Sequence, residues 1–222
     1  MNCLVVIDGL DGSGKTTQLN KLGEYLKNIH KKYRQISFPD YDKPSSTLVK
    51  MYLDGSFGDA AEQVNAYAAS SFYAVDRYAS FKLCWEHDYL DGVPILAARY
   101  VSSNAIHQMV KLEKTEWDSY LAWLSHYEYD LLGLPRPDKI IFLDMPPHIS
   151  QKLMTVRYGG DEQKKDIHER DFSYLQRCRE AALYAAEKEN WCVIRCDEDG
   201  EARSRKDIMG DIVEVLNDIE NF

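Results

Sequence analysis

Val5-Val6-Ile7-Asp8-Gly9-Leu10-Asp11-Gly12-Ser13-Gly14-Lys15-Thr16-Thr17 sets Gly9, then four residues, then Gly14-Lys15-Thr16, the G-x-x-x-x-G-K-[ST] spacing of a phosphate-binding loop. The apolar run from Cys3 to Ile7 reads as a buried strand entering it. Leu19, Leu22 and Leu26 mark an amphipathic helix leaving it. Strand, glycine-rich turn and helix in that order are the context the motif needs. The glycines let the backbone curl until successive N–H groups face one phosphate. The helix N-terminus adds partial positive charge and unpaired donors. Lys15 then reaches the outer phosphates, and the Thr16 hydroxyl is placed to ligate Mg2+. The bland alternative, a turn carrying a solvated lysine, gives no reason for those flanks.

The chain has 222 residues and a formal net charge of −9. That length allows one sizeable core, and the acidic balance argues against a general nucleic-acid or membrane-surface binder. An anionic ligand must therefore meet a local basic cluster. The five cysteines, Cys3, Cys84, Cys178, Cys192 and Cys196, are odd in number, scattered and without a C-x-x-C pair. Buried reduced thiols suit them better than a zinc site. The N-terminus enters a strand without a basic n-region or cleavage pattern, and no apolar run reaches membrane-spanning length. The expectation is a soluble, cytoplasmic protein with neither nucleic acid nor membrane as partner.

Gln35-Ile36-Ser37-Phe38 reads as a short second strand. The following Phe38-Pro39-Asp40-Tyr41-Asp42-Lys43-Pro44, with two prolines, reads as an irregular loop. It is expected on the same side of the sheet as the phosphate loop. A short helix at about 46–53 comes next. Residues 60–85 hold no proline or glycine and many alanines, which predicts one long helix. Either Tyr73 and Arg77, four apart on one face of it, wall a pocket, or the tyrosines pack with hydroxyls outward and Asp76 and Arg77 are solvated. The pattern leaves both open. Asp76 and Arg77, as neighbours, do not share a face.

Val93-Pro94-Ile95-Leu96-Ala97-Ala98 is a third strand, apolar throughout as a central parallel strand should be. Arg99 directly follows its end, where a guanidinium suits bidentate phosphate recognition. Helices are predicted at about 103–112 and 116–131, a fourth strand at Lys139 to Leu143 ending at Asp144, and a helix opened by Pro146-Pro147. The polar segment at about 154–170, with Arg157, Gly159, Gly160 and Arg170, is either a solvated loop or a closing lid. Residues 166–189 read as helix, 191–196 as a fifth strand, and Asp197 to Gly200 as a loop. Ile208, Ile212, Val215 and Ile219 mark a closing amphipathic helix. The order predicts an α/β fold: a three-layer, doubly wound, five-stranded parallel sheet with helices on both faces. One domain over 1–222, with a mobile lid at about 154–170, is the expected organisation.

Taken together, these stretches resemble the thymidylate kinases, phosphate-loop nucleoside-monophosphate kinases that pass the ATP γ-phosphate to dTMP. The likeness runs from about Leu4 to Ile219. It rests on Gly9 to Thr17, Phe38-Pro39, Tyr73-Ala74-Val75-Asp76-Arg77, Arg99-Tyr100 with Ser103-Asn104, and Leu132-Gly133-Leu134-Pro135-Arg136-Pro137-Asp138. The resemblance implies ATP and Mg2+ as cofactors, dTMP as acceptor, and a homodimer with the 60–85 helix in its interface. It implies that Gly9, Asp11, Gly12, Ser13, Gly14, Lys15, Thr16 and Thr17 hold the nucleotide, with Thr16 on the metal. Asp11 would contact the acceptor sugar, Tyr73 would stack on thymine and Arg77 would hydrogen-bond it. Phe38, Pro39, Ser103 and Asn104 would line the same pocket, and Arg99 would grip the acceptor phosphate. Lys15, Arg99 and Arg157 are the expected catalytic residues. Arg157, with Arg170 as a second candidate, would come from the lid, because Gly12 stands where some family members carry a loop arginine. The loop at Asp197 to Gly200 would pass near the adenine.

Two departures stand out. The family usually has an aspartate before the arginine that ends the third strand, and this chain has Ala98. That removes a carboxylate from beside the metal, with Asp11 or Asp144 as partial substitutes. An arginine is also common soon after the proline of Phe38-Pro39; here Asp40 follows, with Lys43 as the substitute. Two alternatives therefore stay open: a related kinase with another acceptor, or a nucleotide-binding protein of this fold with weakened turnover.

Overall fold

Leu4, Val5, Val6, Ile7, Asp8 and Gly9 are all buried, as a strand covered on both faces requires. They form β1 (Leu4–Gly9), the central strand of a five-stranded sheet. The structure, a computed structural model, describes residues 2–58, 60–157 and 172–217. From the phosphate loop, α1 (Lys15–Asn28) leads to β2 (Arg34–Ser37). Then come α2 (Thr47–Leu53), α3 (Ala66–Ser80), α4 (Glu86–Leu90) and β3 (Ile95–Ala98). Next, α5 (Ser102–His107) and α6 (Trp117–Ser125) precede β4 (Lys139–Asp144). α7 (Pro147–Arg157) and α8 (Phe172–Lys188) precede β5 (Cys192–Arg195), and a hairpin of β6 (Asp197–Glu198) and β7 (Glu201–Ala202) precedes α9 (Arg205–Asn217).

The strand order is β2-β3-β1-β4-β5, every pairing parallel. The expected doubly wound α/β sheet is what forms. Alternation along each strand sends neighbours to opposite faces. Leu4, Val6, Ala97 and Phe142 pack with residues of α5, α6 and α8. Val5, Ile7, Leu96, Ala98, Ile141 and Leu143 pack with Leu19, Leu22 and Leu26 of α1 and Ile208, Ile212 and Leu216 of α9. Because β1 lies between β3 and β4, the chain reverses its winding there. The crevice of an open α/β sheet belongs at the C-terminal ends of those strands.

Four local readings need correction. The predicted 60–85 helix is interrupted: a 3-10 turn at Ala61–Gln63 is followed by Asn65, whose side chain accepts from the Ala68 N–H at 2.8 Å and starts α3. At its other end, Phe81–Trp85 widens into a π turn before α4, burying both aromatic rings. The predicted 103–112 helix ends at His107 and continues as a 3-10 turn, Met109–Lys111. The predicted 116–131 helix is α6 followed by a π turn at His126–Leu131. Asp197 to Gly200, read as a loop, opens a hairpin: Asp199 (φ 51°) and Gly200 (φ 79°) are both left-handed, as its two-residue turn demands. Ile219, assigned to the closing helix, and the lid from 158 to 170, Arg170 included, lie outside the described residues.

The cysteines are free, and Cys3, Cys178 and Cys196 are buried. Among the described residues no helix is long and apolar enough to cross a membrane.

Candidate active site

Gly9 (φ 154°), Gly12 (φ 78°) and Gly14 (φ 92°) carry the loop through conformations that L side chains rarely adopt. A Cβ at Gly12 would come 2.8 Å from the Ser150 carbonyl oxygen and 2.9 Å from Met154 Cγ in α7. The loop therefore has no room for an arginine there, and α7 runs from beside it out to Arg157. Lys15, the first residue of α1, is buried and turns back on its own loop. Its ammonium donates to the Gly9 carbonyl at 2.9 Å and the Leu10 carbonyl at 2.7 Å, and lies 3.7 Å from the Asp11 carboxylate. Burial, reinforced by the charge of Arg99, pushes its pKa down to about 8.

A crevice of about 410 Å³ opens from this loop toward α3 and α5. It brings together Asp11, Gly12, Gly14, Lys15, Thr16 and Thr17 of the loop with Phe38, Pro39, Tyr73, Arg77, Arg99, Ser103 and Asn104. Of the remaining predicted residues, Gly9 and Ser13 shape the loop from behind and do not line the crevice. The side chain of Arg157 lies outside the described residues. Lys43 is exposed and is not among the lining residues either.

Arg99 holds a left-handed conformation (φ 65°) at the end of β3. Its guanidinium pairs with Asp11 across the loop, and Nη1 lies 3.1 Å from His107 Nε2. Burial opposes its charge, but Asp11 and Asp8 outweigh burial and hold the pKa above the ordinary arginine value. Phe38 is buried against Tyr100, with ring centroids 5.9 Å apart. Tyr73 meets Tyr52 edge to face at 6.3 Å.

Asp76 and Arg77 are both 1% exposed, so the solvated reading of this pair fails. Asp76 accepts from the Asp40 N–H at 2.8 Å and the Ser45 hydroxyl at 2.6 Å, pinning the loop after β2. Arg77, about 100° around the helix, donates twice to Glu128, both contacts 2.6 Å.

Several lining or anchoring residues were missed from sequence. Asp8, fully buried, accepts from Ser102 Oγ at 2.6 Å and Ser103 Oγ at 2.7 Å, fixing the start of α5 to β1. His107 and Gln108 line the crevice one turn after Ser103 and Asn104, and that i, i+4 spacing was the available signal. Gln108 Oε1 is buried without a partner among the described residues. Glu128 had no local signal at all.

The metal-ligand question turns on faces. Ala98 lies with Leu19 and Leu22 on the α1 side of the sheet. Asp8 and Asp144 point to the other side. Asp144 is gripped by Arg179 through Nε at 2.6 Å and Nη2 at 2.8 Å, so it cannot stand in for a carboxylate at position 98. Among the described residues no group of three or more His, Cys, Asp or Glu is placed to hold a metal ion. What the chain offers is the Thr16 hydroxyl, with Asp11 nearby. That fits a Mg2+ carried in on nucleotide phosphates, not one caged by protein.

A family model described as thymidylate kinase matches residues 7–207. Relatives include a thymidylate kinase of Mycobacterium tuberculosis, 29% identical over 188 residues and covering 82% of this chain and 84% of the relative. A probable thymidylate kinase of Pyrobaculum aerophilum is 26% identical over 219 residues, covering 98% of each. A solved structure of thymidylate kinase from Candida albicans shares the fold, with a TM-score of 0.70, 19% identity, and coverage of 97% of this chain and 91% of that one. The match from residue 7 to residue 207 takes in the phosphate loop, the other residues that line the crevice and the closing hairpin, and the chain belongs to the thymidylate kinase family.

Proposed function

We propose that the chain transfers the γ-phosphoryl group of ATP to the phosphate of dTMP, giving ADP and dTDP. The observation that carries this reading is one crevice in which the amide-lined loop and Lys15 face Arg99, with Tyr73, Arg77 and Asn104 at its far end. That arrangement suits two phosphorylated ligands meeting end to end, with a flat base between aromatic and hydrogen-bonding walls.

The transfer runs in line. The acceptor phosphate is already anionic near neutral pH, so no strong general base is required; positioning and charge neutralisation supply the catalysis. Lys15 leaves its two loop carbonyls for the β- and γ-phosphates, whose negative charge holds it in the ammonium form. Arg99, half-buried and already positioned by Asp11, holds the acceptor phosphate beside it. Tyr73 stacks on the base, Arg77 and Asn104 read its edge, and Phe38, Pro39 and Ser103 close the walls. Mg2+ bound to ATP supplies further neutralisation of the phosphates, with Thr16 as its contact from the chain. Arg157, at the end of α7, is the catalytic cation we assign to the lid at about 154–170, within a single domain. Exposed Tyr67, Val75 and Tyr78 on α3 support that helix as the face of a homodimer.

A coupled assay with dTMP, dUMP, dGMP and thymidine as acceptors tests the assignment. Turnover with dTMP above the others is expected; phosphorylation of thymidine but not dTMP overturns it. A second reading, a nucleotide-binding protein with weakened turnover, is favoured by one observation: Asp144 is held by Arg179 on the face opposite Ala98, and Asp11 is paired with Arg99. Binding of ATP and dTMP without turnover until Ala98→Asp is introduced would select it.

A further inference from the structure

Glu128 is fully buried, yet the phosphate chemistry has no use for it. It stands in the π turn His126–Leu131 that extends α6. Such turns re-aim a side chain without ending the helix and recur at functional sites. Its carboxylate takes three donors: Arg77 Nε at 2.6 Å, Arg77 Nη2 at 2.6 Å and Asn104 Nδ2 at 3.0 Å. Both partners line the base end of the crevice.

The consequence for each partner follows from counting donors. Arg77 also gives Nη1 to the Tyr100 carbonyl at 3.2 Å, which leaves two of its five N–H bonds uncommitted among the described residues. Asn104 spends its NH2 group on Glu128 and on the Ser70 carbonyl at 3.2 Å. A carboxylate can only accept, so the NH2 end of Asn104 must turn toward Glu128 and Oδ1 is what it has left to offer. The crevice edge then reads donor from Arg77 and acceptor from Asn104.

We propose that Glu128 is the positioning residue that sets this polarity, so that the crevice selects a pyrimidine presenting a carbonyl beside a ring N–H over one presenting an amino group beside a bare ring nitrogen. The inference rests on the dTMP reading above and names what makes that site choose its base. Thymine and uracil offer O4 and N3–H, which match; cytosine offers the reverse. An amide at position 128 has one end that donates; it leaves only the longer contact to the Ser70 carbonyl, 3.2 Å, holding the Asn104 NH2 in place, and the side chain then turns over more readily.

Dissociation constants for dTMP, dCMP and ATP, measured singly by calorimetry on the full chain, its Glu128→Gln variant and its Glu128→Asp variant, test this. In E128Q the dTMP-over-dCMP preference is expected to fall about tenfold or more, with ATP affinity within about twofold of the parent. E128D, which keeps an acceptor-only group, is expected to retain most of the preference. A preference in E128Q within about twofold of the parent overturns the proposal, and so does an equal loss of ATP and dTMP affinity, the mark of a merely structural role. A parent chain that binds ATP but not dTMP overturns the function reading and this inference with it. An unchanged E128Q overturns this inference alone. Should E128Q not fold, the parent decides: dTMP and dCMP constants within about twofold of each other sink the assigned polarity.

Discussion

The two ends of the crevice are built differently. The phosphate end is local: Gly9 to Thr17 supply the turn, the amides, the lysine and the hydroxyl from one strand-turn-helix unit. The base end is assembled from distant pieces, with Phe38 after β2, Tyr73 and Arg77 on α3, Asn104 on α5 and Glu128 beyond α6. The first needs only backbone geometry and one motif. The second exists only when buried polar groups from separate elements satisfy one another, since each would be costly alone. A local change should therefore strike one ligand, and a change in a bridging residue should strike the other.

Lys15→Met makes the sharpest break. It removes the one buried ammonium of the loop and leaves Arg99 and the base walls in place. ATP-dependent turnover is expected to fall on the order of a thousandfold, with the dTMP dissociation constant, read by calorimetry, within about twofold. Equal loss at both ends would mean that the two halves are not separable.

Ala98→Asp acts at the junction. It places a carboxylate at the end of β3 on the α1 face of the sheet, the face that Asp8 and Asp144 do not share. Turnover is expected to rise, on the order of a hundredfold if that group limits the rate. A carboxylate in a site that is 4% exposed costs stability when unpaired, so the variant should melt below the parent without Mg2+ and recover when Mg2+ and ATP are added. A variant indifferent to Mg2+ in both respects would show that position 98 does not face the metal.

The same contrast explains how much could be read in advance. The glycine spacing and its flanks gave the loop, and the uniformly apolar strands gave the parallel sheet, because both are written in contiguous residues. Tyr73 and Arg77 were visible as an i, i+4 pair, but not which way Arg77 pointed, since its partner lies fifty-one positions later in a π turn that no periodicity announces. Asp76, one residue earlier, looked like a solvated neighbour and is instead the anchor of the β2 loop. The break at Asn65 was legible as a cap, and the Asp199-Gly200 turn as a hairpin signal; alanine content masked the first and the brevity of the strands the second.

Asp76→Ala tests that anchor. It leaves the Asp40 N–H and the Ser45 hydroxyl without their acceptor, which should cost about 1–3 kcal/mol of stability. The loop carrying Pro39 should loosen with it, raising the dTMP KM by about tenfold while the ATP KM moves little. Thermal melting and the two KM values read this directly, and an ATP effect as large as the dTMP effect would contradict the division.

The smallest expected effect is a pH dependence confined to the phosphate end. In the free protein, burial and then the charge of Arg99 bring Lys15 from 10.5 down to about 8. Bound triphosphate restores the ammonium, so above pH 8 ATP binding must take up a proton and its affinity must fall as pH rises. The loss should be about threefold between about pH 7.5 and 8.5. Arg99, held above the ordinary arginine range, does not titrate there, so dTMP affinity should stay flat over the same interval. Calorimetry in buffers of different ionisation heat detects the proton directly. Melting temperature is a poorer gauge of the same group. A depressed lysine makes the fold gain stability as pH rises through 8 to 10.5, whereas Cys3 and Cys196, their thiols pushed up by burial to about 11 and about 12, make it lose stability above the ordinary thiol range. Proton uptake on ATP binding with none on dTMP binding would place the titrating group at the local end of the crevice; uptake with both ligands would put Lys15 in contact with the acceptor as well.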